Sequence, residues 1–100
     1  MSDRFDPGAI RNTLEFVGEG YGIPTPEGVA ALKLLARTEG IFLDPVYTAK
    51  AMAALMAHVR SGELGPDRPV VFLHTGGATA LFAYQRELDP GELAERLTVE

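Results

Sequence analysis

The chain has no cysteine. That absence excludes a disulfide framework, a thiolate metal site and a cysteine nucleophile, and it leaves the redox compartment open. Basic residues are scarce as well: nine Lys and Arg stand against fourteen Asp and Glu, for a formal net charge of -5. With no basic stripe to neutralise a run of phosphates, nucleic acid is not an expected partner. The longest strictly apolar run, Ala51 to Ala57, falls far short of the roughly 20 residues that cross a bilayer. The opening Met1-Ser2-Asp3-Arg4-Phe5-Asp6 is polar and acidic, without the apolar stretch of a secretory leader. His58 and His74 have no second ligand at metal spacing, so no metal is expected. No repeat and no low-complexity segment appears. The expectation is a soluble, cytoplasmic protein with no membrane and no nucleic-acid partner.

What is present suits one small domain or a piece of one. The chain has 100 residues, 46% hydrophobic and 23% charged, enough for a single core but not for a large cavity of its own. Leu14 to Val17 reads as a short strand ending in the turn Gly18-Glu19-Gly20-Tyr21-Gly22. A helix then starts with Thr25 as N-cap, Pro26 at the first helical position and Glu27 in the first turn, and it ends near Thr38 with Gly40 as left-handed cap. Val29, Leu32, Leu35 and Ala36 share a face, and Ala30 and Leu34 extend it, so the helix should be buried on more than one side. Ile41 to Leu43 reads as a small strand stopped by Asp44-Pro45. A second helix is expected over 48–61, striped by Met52, Leu55, Met56 and Val59, with Gly62 as its stop. Val70 to Leu73 reads as a buried strand, followed by His74-Thr75-Gly76-Gly77. Asp89 and Glu92 resemble a capping box opening a terminal helix.

That order, β-α-β-α-β-α, predicts an α/β fold with a short parallel sheet and right-handed crossovers. In such a sheet ligands sit beyond the carboxyl ends of the strands, where loops enter helix N-termini. The rule selects Asp44 to Thr48 and His74 to Gly77, with the turn around Tyr21 closing over the same end. Each residue there also has a plain structural role available. Tyr21 and Tyr47 can serve as packing aromatics, Thr48 as a first-turn cap, His74 as a hydrogen-bonded structural histidine and Lys50 as a solvated helix residue.

Three stretches carry a resemblance. GEGYGIPTPEG (18–28), ARTEGIFLDPVYTAKAM (36–52) and VFLHTGGATALFAY (71–84) are similar to the C-terminal part of the D-cysteine desulfhydrase and 1-aminocyclopropane-1-carboxylate deaminase family. Those enzymes use pyridoxal phosphate and share the tryptophan-synthase-β type of fold. The expected division is a flexible lead-in over 1–17, broken by Pro7-Gly8, the C-terminal segment of a lyase domain that the resemblance implies over 18–88, and a terminal helix or tail over 89–100. It implies that Tyr21 and Tyr47 are the active-site tyrosines flanking an amino-acid substrate. It places Thr48, Thr75 and Gly76 on the cofactor. Thr48 and Thr75 stand where the deaminases carry Glu and Leu, which resembles the desulfhydrase branch. The family's Schiff-base lysine and phosphate loop have no counterpart here: Lys33 is mid-helix, and Lys50 matches a different lysine. The chain is therefore expected to be a fragment without turnover alone, its partner a separately encoded N-terminal portion or a second copy. The alternatives are a deaminase-like fragment or a non-catalytic interaction module.

Overall fold

The computed structural model describes residues 5–88. Its frame is two helices of equal length, α1 (Pro26–Glu39) and α2 (Thr48–Ser61), and a single turn of helix, α3 (Gln85–Leu88), follows them. Two 3-10 turns, Pro7–Ala9 and Ala78–Phe82, lie outside this pair. The terminal helix expected from Asp89 lies outside the described residues.

Local chemistry sets the helix ends. The Thr25 hydroxyl accepts from the Gly28 amide at 3.0 Å, satisfying one of the orphan donors at the start of α1, and Pro26 supplies a preset φ where no N–H is needed. Gly40 closes α1 at φ 68°, a left-handed conformation that a side chain would resist, and its N–H reaches the Ala36 carbonyl. Gly62 ends α2 in the same way at φ 86°.

α1 and α2 pack through small residues. Ala31 and Leu32 from α1 meet Ala49, Met52 and Ala53 from α2, and Leu43 from the connection completes the buried cluster. Alanines on both sides let the helices approach closely. Of the expected stripes, Leu32 and Met52 are buried, whereas Leu35, Leu55 and Met56 are half-buried and Val59 is exposed. Ala30 is also exposed, so α1 buries one side rather than several.

The expected α/β fold is corrected here: the described residues contain no strand, and therefore no sheet or β-α-β-α-β-α layering. Leu14 to Val17 is a turn, with the Val17 amide bonded to the Leu14 carbonyl. Ile41 to Leu43 is an irregular connection, buried only at Leu43. Around Val70 to Leu73, only Phe72 packs against the core, and Val71 is 90% exposed. The physical reason is that an apolar run signals a tendency to be covered, whereas a strand also needs a neighbour for its backbone ladder. The last two runs are joined instead by a side chain, the His74 Nε2 hydrogen bonded to the Phe42 carbonyl at 2.8 Å.

The core is small enough for one residue to test it. Leu43→Ala is expected to cost about 2–5 kcal/mol in urea unfolding, and Val71→Ala within about 0.5 kcal/mol. Equal effects would contradict the placement of the core.

Candidate functional site

The site is built around the Asp44 carboxylate. Asp44 is 1% exposed and precedes α2 by four residues, where the free amides of the helix start point. Its Oδ1 accepts from the Val46 amide at 2.8 Å and the Tyr47 amide at 2.6 Å. Its Oδ2 accepts from the Thr48 amide at 3.0 Å and from the Thr48 hydroxyl at 2.6 Å. The Asp44 amide in turn donates to Thr48 Oγ1 at 2.8 Å. Burial pushes the carboxyl pKa up, but the Thr48 hydroxyl and the amides of Tyr47, Thr48 and Val46 outweigh it, and the net direction is down. The N-terminus of α2 thus already holds an anion of its own.

Two more loops meet this one. The Tyr21 and Tyr47 hydroxyls share a hydrogen bond of 2.5 Å, with their rings edge to face at 5.9 Å between centroids and 65° between planes. Both rings are open to solvent, Tyr21 at 81% and Tyr47 at 57%. The Tyr21 hydrogen bond raises the Tyr47 pKa above its ordinary value, followed by desolvation and the charges of Tyr21, Asp44 and Tyr84, so Tyr47 keeps its proton. On the other side, Gly77 (φ 94°) lies against Asp44: a Cβ there would stand 3.1 Å from the Asp44 side chain. A side chain at that position would be strained by its φ and crowded by its neighbour. His74 Nδ1 accepts from the Gly76 amide at 3.0 Å, which places its proton on Nε2, toward Phe42.

The residues singled out from the sequence therefore have these places. Tyr21 and Tyr47 touch. Thr48 is buried with its hydroxyl engaged by Asp44. Thr75 and Gly76 are exposed on the loop that abuts Asp44 through Gly77. Three residues of structural consequence were missed. Asp44 reads in the sequence as a strand stop and as the first residue of a candidate ligand loop, but not as the buried anion that binds the amides at the start of α2. Lys50 reads as solvated, yet its Nζ donates to the Val17 and Gly20 carbonyls. Tyr84 donates to the Gly22 carbonyl at 2.7 Å across 62 residues, a contact with no local signal in sequence.

Residues 3–76 match the pyridoxal-phosphate dependent enzyme family, PALP. The chain belongs to this family. The match takes in the Tyr21 turn, the Asp44 loop and the loop as far as Gly76. Whether the residues fit the family's cofactor has a divided answer. The tyrosine pair and the Thr75-Gly76 backbone are exposed, on loops that each touch the Asp44 loop, the first through Tyr47 and the second through Gly77. No lysine fits the covalent role, since Lys33 is exposed on α1 and the Lys50 ammonium is bound by two carbonyls. The start of α2 does not fit the phosphate, because Asp44 occupies its amides. No helix among the described residues is long and apolar enough to cross a membrane, and no group of three metal-type ligands converges there.

A carboxyl with a depressed pKa stabilises the fold when ionised. That contribution is present above its unfolded value, ordinarily 3.8, and is lost as the pH falls through the lower folded value. Asp44→Asn is expected to cost about 1–3 kcal/mol at neutral pH. The gap between the two proteins should close on acidification below pH 3.8 in denaturant melts. A gap that stays constant over that range would contradict the role given to the carboxylate.

Proposed function

We propose that this chain supplies one wall of the active site of a pyridoxal-phosphate dependent D-cysteine desulfhydrase-like lyase. The Schiff-base lysine and the phosphate cup belong to protein outside these 100 residues. The reaction of the whole enzyme is α,β-elimination: D-cysteine and water give pyruvate, hydrogen sulfide and ammonia. Pyridoxal phosphate, when bound, accepts the electron pair released as the α-proton leaves. The observation that carries the reading is the tyrosine pair, brought together from loops 26 residues apart within a chain of this family.

In this reading the substrate lies against Tyr21 and Tyr47. Tyr47 Oη, held in its protonated form, delivers a proton to the departing sulfur, and Tyr21 Oη orients it. The buried Thr48 hydroxyl donates to the Asp44 carboxylate and accepts from the Asp44 amide, so Thr75 is the accessible hydroxyl for the pyridine nitrogen. Neither holds a proton at that nitrogen as a carboxylate does. That favours loss of a β-thiolate over opening of a cyclopropane ring, and hence D-cysteine over the deaminase substrate. Gly76 lets the cofactor ring approach the backbone.

A non-catalytic interaction module has one observation in its favour: Leu14, Val71, Leu73 and Phe82 are all well exposed, more large apolar surface than a chain in isolation benefits from. The two readings diverge in reconstitution. Mixed with an N-terminal portion carrying the lysine and phosphate loop, the chain is expected to release pyruvate and sulfide from D-cysteine. Tyr47→Phe in that mixture should lower the rate roughly 100-fold or more. A stable complex with no elimination, or one indifferent to Tyr47→Phe, would favour the module.

A further inference from the structure

The turn that carries Tyr21 has no regular structure to hold it. Gly18, Gly20 and Gly22 all take positive φ, at 75°, 157° and 77°, and glycine backbone of this kind loses much freedom when it is fixed. Something must compensate if the Tyr21 ring is to stay beside Tyr47.

Two side chains bind the turn's carbonyls. Tyr84 Oη donates to Gly22 at 2.7 Å, and the Lys50 ammonium donates to Val17 at 2.7 Å and to Gly20 at 3.2 Å. The place of Lys50 is otherwise hard to account for. It lies in the first turn of α2, where a cation opposes the helix dipole. Its stem passes Gly28 of α1, where a Cβ would stand 3.6 Å from Lys50 Cγ, so the side chain runs from the helix across to the turn. It is also three residues from Tyr47. One helical turn therefore carries a tyrosine and the cation that binds the loop bearing the other tyrosine.

We propose that Lys50 is a positioning residue that clamps the Val17 and Gly20 carbonyls and so docks the glycine turn on α2, holding the Tyr21–Tyr47 pair together. The catalytic meaning of the clamp rests on the tyrosines acting on substrate, but the clamp itself needs no cofactor. Tyr47 is hydrogen bonded to Tyr21 through its hydroxyl and to Asp44 through its amide, and the charges of Tyr21, Asp44 and Tyr84 act on it. Because the sequence holds three tyrosines and no tryptophan, phenolate absorbance reports these rings without interference.

The test is an alkaline absorbance titration of the full chain beside Lys50→Met, Lys50→Arg and Tyr21→Phe, with helix content followed by circular dichroism. Tyr21→Phe removes the main cause of the raised Tyr47 value and should bring its midpoint back toward 10.0. Lys50→Met should reproduce that shift with the helices intact, and Lys50→Arg, which keeps charge and donors, should retain the unsubstituted curve. A Lys50→Met curve that superimposes on the unsubstituted one, or an Arg curve identical with the Met curve, would overturn the clamp. Should Lys50→Met fail to fold, the unsubstituted chain decides. A nuclear Overhauser contact between the Lys50 ε-protons and the Gly20 α-protons supports the proposal, and its absence overturns it. None of these readings involves pyridoxal phosphate, so the clamp can fail while the lyase reading stands, and the reverse.

Discussion

A buried carboxylate must find donors, and in this chain that requirement organises everything near the site. Asp44 has lost its water, and it is repaid by three backbone amides and one hydroxyl, all from the four residues that follow it. Those donors exist only if the chain turns into α2 at Thr48. The helix start, the position of Tyr47 and the seat for Gly77 are thus consequences of one desolvated charge. The same arrangement explains what α2 does not do. A helix N-terminus is a ready site for an external anion, but here the anion is intrinsic, and a phosphate would have to displace it.

Around that point the loops are held by long-range side-chain bonds rather than by a sheet. His74 ties its loop to Phe42, Tyr84 ties the chain beyond it to Gly22, and Lys50 ties the glycine turn to α2. Each tie is a single side chain reaching a backbone carbonyl. Contacts of this type contribute modestly one at a time, and their value lies in fixing geometry. The Tyr21–Tyr47 pair is the product: two exposed rings, from segments with no helix or strand in common, held edge to face.

How far this was legible in sequence differs by element. The helices were, because their signals are local. Thr25-Pro26 at one end and Gly40 or Gly62 at the other act through neighbouring backbone, and the observed ends fall within a residue of those expected. The strands were not, because Leu14 to Val17, Ile41 to Leu43 and Val70 to Leu73 announce only apolarity. Pairing depends on what lies alongside, and no paired neighbour stands beside them among the described residues. Of the candidate site, the two tyrosines were legible through a resemblance that spans both loops, and membership of the pyridoxal-phosphate dependent enzymes follows from the match over residues 3–76. The loop that opens at Asp44 was legible, but the buried role of its carboxylate was not, because Asp-Pro reads first as a breaker. Lys50 and Tyr84 were overlooked because their partners lie 30 and 62 residues away.

The proposed wall of the site has no covalent anchor of its own. Incubation of the purified chain with pyridoxal phosphate, borohydride reduction and peptide mass mapping tests it most directly. The account predicts no stoichiometric adduct on Lys33 or Lys50, the only lysines in the chain. A full equivalent of reduced cofactor fixed to either one would contradict it.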